Sequence, residues 1–163
     1  MRARKKKPDE WEKLVAAARG ASAKAYAPYS ELRIGAALEG EDGRVYVGCN
    51  VENSSFGLTI CAERAAVMCA VAQGEQEFRR LAIYTTDGGP LSPCGACRQV
   101  LAEFCDGLPI VSVGRGGLRR EFELSELLPQ AFGWPAGDTR PAGDASPAGD
   151  ARPAGEASGQ PET

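Results

Sequence analysis

Apolar and polar positions along the chain alternate at two spacings, one helical and one strand-like. Apolar residues recur at helical intervals in three segments, over 11–25, 61–73 and 94–104. Five shorter runs have the length and composition of strands: 33–39, 44–49, 81–86, 109–113 and 118–124. A short final helix, capped by Ser125, is predicted over 126–132.

The order of these elements, α-β-β-α-β-α-β-β-α, predicts the fold class. Helices and strands mixed at these lengths imply an α/β sandwich in which helices cover a sheet. Asp42-Gly43 predicts a hairpin between the first two strands. The turn at 114–117 is too short for a parallel crossover, so the fourth and fifth strands are expected to run antiparallel.

Both ends of the chain differ in composition from its middle. Residues 1–7 carry five positive charges and are predicted to form a basic N-terminal arm. Residues 135–163 repeat a Pro/Ala/Gly/Asp hexapeptide and contain no aromatic or branched aliphatic side chain. Such a segment cannot bury enough apolar surface to offset its conformational entropy, which predicts a disordered tail. The folded domain is therefore expected over 8–134.

Net charge, the absence of histidine and the use of cysteine exclude several classes of function. A net charge of −3 provides no strongly basic face, so a nucleic-acid partner is not expected. The chain has no histidine, which excludes Ser-His-Asp and Cys-His mechanisms and histidine metal sites. No apolar run is long enough to span a membrane, and the polar stretch after the basic arm argues against a secretion signal. The six cysteines are therefore expected to be reduced thiols in the cytoplasm.

Three cysteines and one glutamate form a pattern typical of a catalytic zinc site. Cys61 opens the second predicted helix, and Cys94 and Cys97 open the third. Helix N-termini favour thiolates, and a Cys-x-x-Cys pair is half a zinc site that Cys61 can complete. Three protein ligands leave one position open, and Glu63 can exchange a proton with water there. The spacing is the Cys-only form of the nucleobase-deaminase signature.

Three thiolates make zinc a weak Lewis acid unless charge is withdrawn from the sulfur atoms. Arg64 follows Glu63, and Arg98 follows Cys97. A hydrogen bond from an arginine to a thiolate restores part of the electron withdrawal. Arg64 is the stronger candidate for this charge compensation.

At this point the chain resembles the cytidine deaminases of the short, three-cysteine, homotetrameric kind. The resemblance extends from Tyr26 to Phe132 and rests on five segments: 26–30, 34–38, 48–53, 61–64 and 93–99. It implies a three-layer sandwich with a five-stranded mixed sheet and one zinc ion per chain. It also implies hydrolytic deamination of cytidine and 2′-deoxycytidine in pyrimidine salvage, by a homotetramer with shared active sites.

The resemblance also implies the contacts to a pyrimidine nucleoside. Asn50 and Glu52 would bind the sugar 3′-hydroxyl, which can donate to a carboxylate and accept from an amide. The backbone around Ser54 and the ring of Phe56 would line the same pocket. Phe132 would reach the base in a neighbouring subunit.

Leu32 departs from the family pattern, which commonly has Phe at this position to pack on the pyrimidine. Leucine keeps an apolar contact and loses aromatic stacking. Of the remaining cysteines, Cys69 and Cys105 are interpreted as small buried apolar residues. Cys49 ends a strand and could approach the site, although it is not expected to be a ligand.

Four alternatives stay open at this stage. A structural four-cysteine zinc module would need a fourth thiol ligand and would leave Glu63 without a role. A thiol redox protein would use Cys94 and Cys97 and leave Cys61-Ala62-Glu63 unexplained. The near-neutral charge and the repulsion of a 3′-phosphate by Glu52 argue against an RNA- or DNA-editing deaminase. A blasticidin-type deaminase is nearer, although residues 50–53 favour cytidine.

Overall fold

The computed structural model describes residues 10–133, so the predicted basic arm and repeat tail lie outside the described residues. Within this range, four α-helices and five strands follow the predicted order. Their bounds are α1 Glu10–Ser22, β1 Ile34–Gly40, β2 Val45–Cys49, α2 Ala62–Val71, β3 Phe78–Thr85, α3 Gly95–Ala102, β4 Pro109–Gly114, β5 Arg119–Glu123 and α4 Leu124–Leu127. A 3-10 turn, Phe56–Leu58, lies between β2 and α2.

The strands form one mixed sheet in the order β2-β1-β3-β4-β5. Strand β1 pairs antiparallel with both β2 and β3, so β2 and β3 run in the same direction. Strands β3 and β4 are parallel, whereas β4 and β5 are antiparallel. The expected five-stranded mixed sheet and the antiparallel turn at its end are therefore confirmed.

Helices cover both faces of this sheet and produce three layers. Successive residues of a strand point to opposite faces. On one face, α1 packs Leu14 and Ala18 against Ala37, Ala82 and Tyr84. On the other face, α2 and α3 pack against the alternate strand residues in the larger core, which includes Ala36, Leu38, Leu81, Ile83, Val67 and Leu101.

Two glycines let the helices approach the sheet backbone directly. A Cβ atom at Gly35 would overlap the backbone of Ala18 in α1. A Cβ atom at Gly48 would overlap the backbone of Ala62 and Ala66 in the first turns of α2. The contact at Gly48 therefore fixes the height of the N-terminal end of α2 above the sheet.

The final helix differs from its prediction. It is α4, with Glu123 as its N-cap, and Ser125 lies inside it. The prediction of a helix over 126–132 was wrong because Pro129 has no amide donor and disfavours helical backbone at Leu128. Leu128 accordingly leaves the helical region, at φ −143° and ψ 71°. Phe132 thus lies beyond the helix.

Smaller differences occur elsewhere. Strand β3 begins at Phe78, whereas the predicted strand began at 81. The prediction missed the first residues because the charged Arg79 and Arg80 interrupt the apolar pattern. These arginines form ion pairs with Glu41 and Glu39.

Among the described residues, no helix has the length and apolarity needed to cross a membrane.

Candidate active site

The topology brings the N-terminal ends of α2 and α3 together. Strands β2 and β3 run in the same direction, so their carboxyl ends lie at the same edge of the sheet. Helix α2 follows β2, and helix α3 follows β3. Both helices therefore begin at that edge and direct the positive ends of their dipoles toward it.

Three thiols meet at these helix starts. Cys61 is the N-cap of α2, and Cys94 is the N-cap of α3, where its sulfur accepts a hydrogen bond from the Cys97 amide at 3.4 Å. The sulfur atoms of Cys61, Cys94 and Cys97 all lie within 4.8 Å of one another. Zinc–thiolate bonds of about 2.3 Å in a tetrahedron place the sulfurs about 3.8 Å apart. The distance from Cys61 Sγ to Cys94 Sγ is 3.7 Å, which fits zinc.

The surroundings favour a thiolate at Cys61. Its pKa is lowered to about 5, first because the Cys97 thiol donates a hydrogen bond to it, and also because Arg64 does. The pKa of Cys97 is raised by the same hydrogen bond and by burial. Zinc binds thiolates, so metal binding would release the proton that these sulfurs share.

Glu63 places a carboxyl group in the first turn of α2, next to the thiols. It is the second residue of α2, and only 6% of its surface is exposed. Burial, and then the negative charge at Cys61, raise the pKa of its carboxyl. A buried carboxyl group with a raised pKa is suited to accept and return a proton.

Arg64 is placed as charge compensation requires. Its Nη2 atom donates to the Thr59 carbonyl at 2.9 Å and lies 3.7 Å from Cys61 Sγ. The hydrogen bond to Cys61 is the main reason that the pKa of Arg64 is raised. Arg98 has a different role, because its donors bind Pro93 O, Ser92 Oγ and Leu127 O.

A cavity of about 290 Å³ connects the thiols with the predicted sugar contacts. We call Cys61, Glu63, Cys94 and Cys97 the metal end. We call Ser30, Asn50, Glu52 and Phe56 the sugar end. The cavity lining includes both sets apart from Cys97 and Phe56, and adds Leu32, Ile34, Thr59, Ile83, Leu91 and Ser92. Ser30 and Glu52 also line an adjoining opening with Phe56.

Asn50 and Glu52 are held mainly by backbone groups. The Asn50 side chain is buried, accepts from Ile34 N at 2.8 Å and donates to Leu32 O at 2.9 Å. One of its two amide hydrogens is left for a ligand. Glu52 accepts from Tyr29 N at 2.8 Å and from the Ser30 hydroxyl. The Ser30 hydroxyl, followed by the Tyr29 amide, lowers the pKa of Glu52 and keeps it ionised.

Three further predicted substrate contacts, Ser54, Phe56 and Phe132, are not part of the lining of this cavity. Phe56 is exposed in the 3-10 turn, where its ring packs edge-to-face on Tyr29 at 5.5 Å. Ser54 is exposed on the loop before that turn. Phe132 is 81% exposed, and its backbone is held by Gln99, which donates to Phe132 O at 2.7 Å and accepts from Phe132 N at 3.1 Å. Phe132 is therefore presented outward.

The sequence alone indicates no role for Ser30 or Gln99, although both lie in segments that carry the family resemblance. Their partners are far away along the chain, 22 residues for Ser30 and Glu52 and 33 for Gln99 and Phe132. Nothing in local spacing indicates such pairs.

Comparison with known proteins places this geometry in a family. Residues 8–112 match the family model of the cytidine and deoxycytidylate deaminase zinc-binding region. The chain belongs to the cytidine deaminase family. Over 122 residues it is 49% identical to a cytidine deaminase from Sporosarcina psychrophila, covering 74% of this chain and 90% of that one. A Mycobacterium tuberculosis cytidine deaminase is 44% identical over 127 residues, covering 77% and 92%.

Solved structures of cytidine deaminases share the fold. The crystal structure from Burkholderia pseudomallei gives a TM-score of 0.71 at 47% identity and covers 74% of this chain and 97% of its own. That from M. tuberculosis gives 0.67 at 44% identity and covers 78% and 100%. The matched zinc-binding region contains Cys61, Cys94 and Cys97, which fits one zinc ion per chain. Across the described residues 10–133, none of the other cysteines joins this group.

Proposed function

We propose that the chain catalyses hydrolytic deamination of cytidine and 2′-deoxycytidine to uridine, or 2′-deoxyuridine, and ammonia, as a step of pyrimidine salvage. One observation carries the proposal. The buried Glu63 carboxyl lines the same cavity as two thiols of a zinc-binding set and a pair of groups suited to a sugar hydroxyl. The curated relatives are cytidine deaminases, which supports the same activity here.

The proposed chemistry assigns the proton transfers to Glu63. Bound by Cys61, Cys94 and Cys97, zinc would supply a Lewis acid that makes water more acidic. Glu63 accepts a proton from the water that attacks carbon 4 and delivers it to ring nitrogen 3. Its carboxyl then carries the second water proton to the amino group, which leaves as ammonia. Arg64 draws negative charge from Cys61 by its hydrogen bond.

The sugar end orients the nucleoside. Glu52 accepts a hydrogen bond from the 3′-hydroxyl, and Asn50 donates one to it, while Leu32 packs on the base. Phe56 and the backbone at Ser54 complete the wall at the cavity mouth. The ionised Glu52 repels a 3′-phosphate, which disfavours nucleoside 3′-phosphates and polynucleotides as substrates.

We extend the proposal to a homotetramer with shared active sites, in which Phe132 reaches a neighbouring pocket. The outward presentation of Phe132 supports this assembly, as does a set of exposed apolar side chains: Tyr26, Tyr29, Phe56 and Leu58. Leu127, in contrast, packs on the core of its own chain. Sedimentation of the purified chain tests the assembly, and a fully active monomer would contradict it.

We also propose residues 8–134 as the catalytic domain, 1–7 as a basic arm and 135–163 as a tail outside the chemistry. Six free thiols support a reducing, cytoplasmic setting.

An ultraviolet assay tests the activity. We expect rapid deamination of cytidine and 2′-deoxycytidine, slow turnover of cytosine, which lacks the sugar, and none of cytidine 3′-phosphate. Absence of turnover with the zinc-loaded protein would overturn the proposal. Efficient deamination of an oligonucleotide would overturn the restriction to nucleosides.

A further inference from the structure

A short loop before β1 forms one wall of the cavity. Its backbone is tight, because Glu31 N donates to Ala27 O at 3.1 Å and Glu31 adopts a positive φ of 59°. Left-handed backbone is unusual for a residue other than glycine. The loop therefore holds the residues on either side of Glu31, Ser30 and Leu32, in defined positions.

The Ser30 hydroxyl links two parts of the cavity. It accepts from Leu32 N at 3.1 Å and donates to Glu52 Oε1. A hydroxyl has a single hydrogen, and the Leu32 amide can only donate. The hydrogen of Ser30 is therefore directed to Glu52, while the Leu32 amide occupies an acceptor site on the same oxygen.

The backbone of the same loop holds the second oxygen of Glu52. Tyr29 N donates to Oε2 at 2.8 Å, and Ser30 N lies 3.3 Å from it. Both carboxylate oxygens are thus engaged from one side. A carboxylate accepts about four hydrogen bonds. At Oε1, the acceptor capacity that Ser30 leaves is available to a ligand in the cavity.

We propose that Ser30 is a positioning residue for recognition of the 3′-hydroxyl, because its hydroxyl fixes the Glu52 carboxylate toward the cavity. This inference rests on the proposed function. Ser30 lines the cavity and the adjoining opening beside Phe56, so its removal changes the site rather than the core. Without its hydroxyl, Glu52 Oε1 loses a charge-assisted hydrogen bond and the side chain gains rotational freedom.

The test compares two substrates that differ only in the 3′-hydroxyl, 2′-deoxycytidine and 2′,3′-dideoxycytidine. For Ser30→Ala, we expect kcat/KM for 2′-deoxycytidine to fall about tenfold, mainly through KM, as a lost hydrogen bond to a charged group implies. For 2′,3′-dideoxycytidine, we expect less than a twofold change. Ser30→Thr restores the hydroxyl and should recover most of the loss.

Ser125→Ala is the matched control. It removes an exposed serine hydroxyl from α4, outside the lining of the cavity. Its kinetics should equal those of the parent chain, and zinc content should be unchanged in every variant.

Failure of the Ser30 inference and failure of the proposed function give different kinetic results. An equal loss on both substrates, or no loss on either, would overturn the role of Ser30. If the parent chain itself uses the two substrates equally well, the role of Glu52 in the proposed function is wrong. If it deaminates neither substrate, the proposed activity is wrong.

Discussion

The metal end and the sugar end of the cavity are built in different ways. At the metal end, the three thiols and Glu63 lie in the first turns of α2 and α3, and the contact between Cys94 and Cys97 spans three residues. At the sugar end, Glu52 and Ser30 lie in loops and meet across 22 residues of sequence. Glu63 is buried, whereas Ser30 is exposed.

The two glutamates show what this difference does. Burial raises the pKa of Glu63, whereas hydrogen bonds from Ser30 and Tyr29 lower the pKa of Glu52. In the proposed function, the Glu63 carboxyl carries a proton, and the Glu52 carboxylate stays charged and accepts hydrogen bonds. Rigid elements would then hold the reacting groups, and loops would select the substrate.

The largest expected effect is at the metal end. Cys97→Ala should remove zinc and activity together, because two thiolates cannot retain a catalytic zinc ion. Cys69→Ala is the control, since Cys69 lies outside the thiol cluster and should keep both. Atomic absorption measures the zinc content of each variant, and an activity assay on the same samples measures turnover. Loss of zinc from the Cys69 variant would refute the three-thiol assignment.

Glu63→Gln should come next in size. The amide keeps the shape of the side chain and leaves the thiols intact, but it cannot carry a proton. General acid–base catalysis contributes about 10²–10⁴-fold, so kcat should fall by at least that range with zinc retained. Turnover near that of the parent chain at full zinc occupancy would show that another group transfers the proton.

The same contrast explains which parts of the fold and of the site could be predicted from the sequence. Apolar periodicity predicted the three long helices and strands β1, β3 and β4, because burial against a sheet imposes it. Strands β2 and β5, which have few or no buried side chains, were predicted from the turns beside them. The metal end was identifiable because its residues are close together along the chain, at Cys61-Ala62-Glu63 and from Cys94 to Cys97. Helix α4 was predicted too long, since local spacing was weighed without the effect of Pro129.

The features that could not be predicted depend on contacts between residues that are far apart along the chain. Ser30 beside Glu52 follows from the meeting of two loops, and no short motif records that contact. The start of β3 was missed because the charged Arg79 and Arg80 interrupt the apolar pattern. They form ion pairs with Glu41, in the turn after β1, and with Glu39 of β1.

Gln99→Ala tests whether α3 also supports substrate binding, because Gln99 lies on the helix that begins at Cys94 and yet holds the backbone of Phe132. Losing these neutral hydrogen bonds should raise KM for cytidine about 3- to 10-fold without loss of zinc. Gln73→Ala is the control, since that amide bonds Cys69 of the preceding helix. In a Phe132→Ala background, Gln99→Ala should have no further effect on KM. Additive losses would show that Gln99 does not act through Phe132.

The smallest expected effect is from truncation after Trp134, which removes only residues 135–163. The repeat segment has no aromatic or branched aliphatic side chain, so we expect unchanged sedimentation, zinc content and kinetics. A clear fall in kcat/KM would give the tail a role in catalysis.

Gly48 also defines how much sequence change the enzyme tolerates. Even a methyl group there would overlap the backbone of Ala62 and Ala66 and force α2 away from β2. Cys61 is the N-cap of that helix, so the displacement would separate its sulfur from those on α3. In a library randomised at residue 48, retention of zinc alone would therefore enrich glycine, without any selection for turnover. A position that makes no contact with metal or substrate would then be as restricted in evolution as a ligand.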